Sequence, residues 1–126
     1  MKAKIYFEAF GTDKDKLVET LDKTLYNKVS QYKKFQIIEK KIADPIEREI
    51  KTPDGKSIKG WSTYLEIYAD FNDFDSLMDF LLFYPPSRIE VEDIKEIKIS
   101  TKDGEIKLNK EKVNLLFNQI AQAIIT

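Results

Sequence analysis

Lys59-Gly60-Trp61-Ser62-Thr63-Tyr64-Leu65-Glu66-Ile67-Tyr68-Ala69-Asp70-Phe71 is the longest clean strand signal in the chain. Leu65 and Ile67 fall on one face, and Tyr64, Glu66, Tyr68 and Asp70 on the other. That period of two marks a strand with two different environments, and its length suits the centre of a sheet. What precedes and follows it falls into two related halves.

Upstream, residues 4–10 alternate in the same way, with Ile5, Phe7 and Ala9 on one face and Tyr6, Glu8 and Phe10 on the other. Gly11 ends this strand, and Thr12 with Asp15 resembles a capping box. Leu17, Val18, Leu21, Leu25, Val29 and Tyr32 then recur at helical spacing, so a helix is predicted to about Gln31. Phe35–Ile42 reads as a second strand, and Lys40, Lys41 and Pro45 suit a sheet edge. Thr52-Pro53-Asp54-Gly55 is a turn signal with proline presetting φ and glycine at the left-handed position. A three-residue hairpin loop there pairs Thr52 with Lys56 and sets Ile50 opposite Ile58. The hairpin over residues 46–60 is thus expected to extend beyond a normal sheet edge.

Downstream, Asn72 and Asp75 repeat the capping pattern ahead of a short helix, residues 73–84, that is apolar nearly all round. Pro85-Pro86 stops it. Residues 88–92 give a fourth strand, and the change of parity at Ile94 suggests a bend. A second small hairpin turns at Lys102-Asp103-Gly104. Asn109 caps a last helix, whose apolar stripe is Val113, Leu116, Phe117, Ile120 and Ile124. An internal echo at an offset of 60 residues sets Ala9, Asp13, Asp15, Leu17 and Leu21 beside Ala69, Asp73, Asp75, Leu77 and Leu81. Each half is then strand, capped turn, helix, strand. The expected fold is a single α+β domain over residues 1–126, a ferredoxin-like βαββαβ plait with an added C-terminal hairpin and helix. Right-handed crossovers place the first and third strands centrally, with both helices over Ile5, Phe7, Leu65 and Ile67.

Composition narrows the chemistry. The chain has no cysteine and no histidine. Thiolate nucleophiles, disulfides and the commonest transition-metal ligands are therefore excluded, and no cofactor or metal is expected. An enzyme would have to work with Asp, Glu, Lys, Tyr, Ser or Arg, and no catalytic motif built from these stands out, so a non-enzymatic role is favoured. Asp70, Asp73 and Asp75 are read as helix-terminal charges rather than a cation site. No apolar run approaches the roughly 18 residues that a membrane span requires, so the expected location is cytoplasmic. Charge is unevenly spread: residues 28–60 carry nine Lys/Arg against five Asp/Glu, and residues 61–105 carry four against eleven. Such a dipolar chain can attract a second copy of itself.

The working surface is expected on the face opposite the helices. Tyr6, Phe10, Tyr64 and Tyr68 lie there, more aromatics than a solvated face needs, so a cover or partner is expected. The last helix is the nearest cover, and otherwise its residues Leu116, Phe117, Ile120 and Ile124 form an interface. This order of elements resembles the RNA-recognition-motif family. Lys59-Gly60-Trp61-Ser62 opens like that family's third-strand motif and Tyr64-Leu65-Glu66-Ile67 continues it, with Thr63 as one extra residue. The resemblance implies base stacking on Tyr6, Tyr64 and Tyr68. Glu8, Glu66 and Asp70 on the same face would repel phosphate. The preferred function is a non-enzymatic interaction or self-assembly domain, a homodimer or higher, or one that binds another protein. The alternatives are single-stranded nucleic-acid binding through the aromatics and a small-ligand pocket between the sheet and the last helix.

Overall fold

The chain runs β1 (Lys2–Gly11), α1 (Lys14–Glu19), a π-helical turn (Thr20–Leu25), α2 (Tyr26–Ser30), β2 (Phe35–Ile42), β3 (Ile46–Lys51), β4 (Ser57–Phe71), α3 (Phe74–Phe83), β5 (Arg88–Val91), β6 (Glu96–Thr101), β7 (Gly104–Asn109) and α4 (Lys110–Ile125). The computed structural model describes the backbone of residues 1–94 and 96–125, and the side chains of all of these except 96, 97, 99, 124 and 125. Helical backbone continues from α1 through the π turn into α2, so the described helices form three rods in all. The architecture is mixed α+β. Every strand pairing among the described residues is antiparallel.

Alternation in β1 and β4 decides the layers. The two strands pair over Lys2–Gly11, with Ile5 opposite Ile67 and Phe7 opposite Leu65. These four side chains are buried, together with Ala69 and Phe71 from β4 and Ile89 and Val91 from β5. Leu21 and Val29 from the first rod and Leu77, Phe80 and Leu81 from α3 complete the same core. Each large apolar side chain removed from water contributes roughly 1.5–3 kcal/mol. The sheet order is β2-β4-β1-β5, with β3 also on β4, so β1 and β4 are central as expected.

The helix caps fall one residue later than the capping-box reading places them. Asp13, not Thr12, accepts the N–H of Lys16 at 3.1 Å, and Asp73, not Asn72, accepts that of Ser76 at 2.7 Å. Both aspartates have extended backbone, which aims the carboxylate back at the first turn. The 60-residue echo thus extends to the caps themselves.

β4 is 15 residues long, and two strands in succession share one of its sides. β2 pairs along Leu65–Phe71, with a bulge at Ile38, and β3 pairs along Ser57–Ser62. The break between them falls at Ala43-Asp44-Pro45. Proline cannot donate to the ladder there. The Thr63 hydroxyl donates to the Ala43 carbonyl, and the Ala43 N–H donates to the Tyr64 carbonyl at 3.1 Å, so the bend is pinned to β4. The hairpin turn is as read: Ile50 faces Ile58, Thr52 N–H donates to the Lys56 carbonyl at 2.7 Å, and Gly55 takes a φ of 85°.

Gly60 is needed for the start of β4. A Cβ there would lie 2.6 Å from Cζ of Phe10 and 2.7 Å from the Gly11 carbonyl oxygen. The ring could swing away, but the carbonyl belongs to the β1 backbone. Gly60→Ala should therefore cost about 1–3 kcal/mol in a urea melt. Unchanged stability would mean that Phe10 and Gly11 do not press on this position.

Helix α4 does not cover the tyrosine face. It lies along the outer edge of β5. Asn109 caps it through the Lys112 N–H at 2.9 Å. Val113, Phe117 and Ala121 are buried, and the Phe117 ring sits 5.6 Å from that of Phe74 on α3. Two asparagines fasten it to the strand. Asn118 Oδ1 accepts the Ile89 N–H at 3.0 Å, and its Nδ2 donates to the Ile89 carbonyl at 2.9 Å. Asn114 does the same for Val91, at 2.6 and 3.1 Å. Gln122 continues the row by donating to the Ser87 carbonyl at 3.0 Å. Four helical residues advance about 6 Å and two strand residues about 6.6 Å, so amides at i and i+4 match alternate residues of an edge strand.

Candidate functional site

The open face of the sheet has two parts. The first is a lattice of tyrosines and charges over β1, β4 and β5. Tyr6 lies opposite Glu66 on one side and Arg88 on the other. The Arg88 guanidinium stands 4.1 Å from its ring centre, and Tyr64 meets it edge-on at 5.7 Å. Tyr6 is left only 8% exposed. Burial, and then the neighbouring Glu66 carboxylate, raise the phenol's pKa above its ordinary value. The Tyr68 phenol beside Glu92 is the first cause holding the Glu92 carboxyl below its usual range. Lys4 joins the pair, 3.3 Å from Glu92. Long charged side chains thus cover the rings, and the phenols of Tyr6 and Tyr68 lie beside the carboxylates of Glu66 and Glu92. This is how the face stays in water without α4 above it.

The second part lies toward the hairpin, where the pattern on β4 changes to Ser62, Gly60 and Ile58. Phe10, Ile46, Ile50 and Ile58 are all exposed here, Ile46 at 59%. Register puts Phe10 and Ile46 on either side of Ser62, and Ile50 against Ile58. At the bend between β2 and β3 the surface dips into a cavity of about 270 Å³, lined among others by Glu8, Asp44, Ile46, Arg48, Ser62 and Tyr64. A second hollow of about 320 Å³ shares Glu8, Arg48 and Ser62 and runs on toward Phe10 and Ile50.

Of the aromatics expected to work together, Tyr6, Tyr64 and Tyr68 belong to the lattice and Phe10 to the hairpin end. Of the helix residues expected at an interface, Phe117 is buried in the chain's own core, Leu116 is exposed and Ile120 is half-buried. The Ile124 side chain lies outside the described residues. The aspartates near α3 have local partners: Asp70 binds the N-terminal ammonium at 2.9 Å, Asp73 caps α3 and Asp75 sits in its first turn. Among the described residues no group of three or more His, Cys, Asp or Glu could hold a metal ion. Trp61 lies on the helix side, with the Lys14 ammonium 5.0 Å from its ring.

Sequence reasoning missed Arg48, Asp44 and the asparagine row. The row had a legible signal, amides at 114, 118 and 122. Arg48 had none, because its neighbours come from strands distant in the chain.

No described helix is long and apolar enough to cross a membrane. A search of curated proteins and of solved structures found no match for the chain. One family model does match, over residues 2–124, nearly the whole length. The chain belongs to the MJ0538 family.

Proposed function

We propose that this is a non-enzymatic interaction domain that associates with itself through the hairpin end of its open face, built on a ferredoxin-like plait. The β2-β4-β1-β5 order, with one helical rod between β1 and β2 and another between β4 and β5, supports the plait. The carrying observation for association is the exposed set Phe10, Ile46, Ile50 and Ile58 on the open face, of which Ile50 and Ile58 stand on a two-stranded arm. Beyond Trp61, β4 has β3 alone as its partner, and every residue of β3 is exposed. Two unsupported strands are marginal in water and gain from an apolar cover.

Charge favours a second copy over a nucleic acid. Lys2, Lys4, Lys41, Arg48 and Arg88 share the open face with Glu8, Glu39, Glu66, Asp70, Glu90 and Glu92, so the face is near neutral and slightly acidic. A polyanion gains little from such a surface, whereas two like faces related by a twofold axis can match opposite signs. Arg88 already occupies one face of the Tyr6 ring, where a base would stack.

Light scattering after size exclusion should give twice the 14.8 kDa chain mass. Ile50→Lys with Ile58→Lys should give a monomer of unchanged secondary structure. A wild-type monomer at every concentration, or a dimer that survives both substitutions, would overturn the reading. Fluorescence anisotropy with mixed single-stranded RNA covers the rival. Tight, salt-sensitive binding that loses about 1–3 kcal/mol in Tyr64→Ala would transfer the function to nucleic acid.

A further inference from the structure

The cavity at the β2–β3 bend has a physical cause. Along the open face β4 presents Tyr64, Ser62, Gly60 and Ile58 in turn. The Phe10 ring fills the space over Gly60, and nothing comparable fills the space over Ser62. A trough therefore remains between Tyr64, Ile46 and Phe10. Its floor is held by the Thr63 hydroxyl on the Ala43 carbonyl and the Ala43 N–H on the Tyr64 carbonyl.

Its walls carry charge of both signs. Glu8 stands on the β1 side, and Asp44 and Arg48 on the side of the bend and β3. Among the described residues none of the three makes an ion pair. Glu8 and Arg48 line both hollows together, yet their charged atoms stay more than 4.0 Å apart. A ligand of one sign would gain at one wall and lose at the other. A ligand carrying both signs on a short frame gains at both. The volume, about 270 Å³, falls just below the range of drug-sized sites and suits a small guest.

We propose that this cleft binds a small zwitterion of the α-amino-acid class. Its ammonium faces Glu8 and Asp44. Its carboxylate takes the planar fork of the Arg48 guanidinium, which suits two parallel hydrogen bonds. An aliphatic side chain rests on Ile46. The proposal goes beyond self-association and draws on the charged side chains and Ile46, and not on Ile50 or Ile58.

The test is an amide NMR titration of the full chain with L-leucine, leucine methyl ester and N-acetyl-leucine. The ester lacks the carboxylate and the acetyl derivative lacks the ammonium. Leucine should saturably shift the amides of Glu8, Ala43, Arg48 and Ser62, and each blocked derivative should bind several-fold more weakly. Arg48→Gln should remove the preference for leucine over the ester. Glu8→Gln should reduce the preference over the acetyl form. Both positions are exposed, so neither substitution threatens folding. The absence of saturable shifts, equal binding of the blocked forms, or preferences that survive both variants would each overturn the proposal. The titration is repeated on Ile50→Lys with Ile58→Lys. That variant keeps the charged walls, so failure of the cleft and failure of self-association give different results.

Discussion

Replacing Asn114 and Asn118 together with alanine should release α4 from the β5 edge. Five side-chain hydrogen bonds disappear, four to β5 and one from Asn118 Nδ2 to the Asn114 carbonyl, and the N–H and carbonyl of Ile89 and Val91 lose their partners. Both strand residues are buried. An unsatisfied buried polar group costs roughly 1–3 kcal/mol, but water can reach a loosened edge, so the double variant should lose about 2–4 kcal/mol in total. Hydrogen exchange gives the sharper reading. The amides of Ile89 and Val91, protected in the wild type, should exchange fast in the variant while those of β4 stay protected. Retained protection at both positions would mean that the asparagines do not hold this edge. Gln119→Ala, one residue further along on the exposed side of α4, serves as the control.

Phe117→Ala should cost about 3–5 kcal/mol, the range for emptying a fully buried aromatic site. The ring is 1% exposed and packs on Phe74. Leu115, on the outer side of the same helix, should change stability by less than about 0.5 kcal/mol when replaced by alanine. Urea melts at several protein concentrations separate the two roles open to this helix. A loss independent of concentration places Phe117 in the chain's own core. A loss that appears as dissociation instead would return α4 to an interface.

The parts of the fold that were legible are those set by local period and turn chemistry. Alternation in β1 and β4 identified the central strands and their buried faces. Thr52 to Gly55 set the hairpin register, and Asn109 set the start of α4. What failed depended on choices between neighbours or between partners. Thr12 and Asp13 both offer a capping oxygen, as do Asn72 and Asp73, and only backbone direction decides between them. An apolar stripe on α4 requires a cover without naming it. The cover is α3 and the β5 edge rather than the tyrosine face. That face looked in need of a lid because Lys4, Arg88 and Glu92, which cover its rings, come from separate strands. The cavity was illegible for a related reason: it arises where a small residue, Ser62, falls between bulky ones contributed by other strands.

The amide row on β5 also bears on how large any assembly can grow. A sheet extends by docking backbone onto a bare margin, and this sheet has one margin already occupied by its own helix. The other margin, along β2 and β3, is interrupted by a bulge, a proline bend and several lysines, and its exposed isoleucines are Ile38 at the bulge on β2 and Ile46 and Ile50 on β3. A copy joined there presents its own stoppered side outward. Strand addition along that margin therefore terminates after one step, so crowding this protein should yield discrete pairs there and not fibrils.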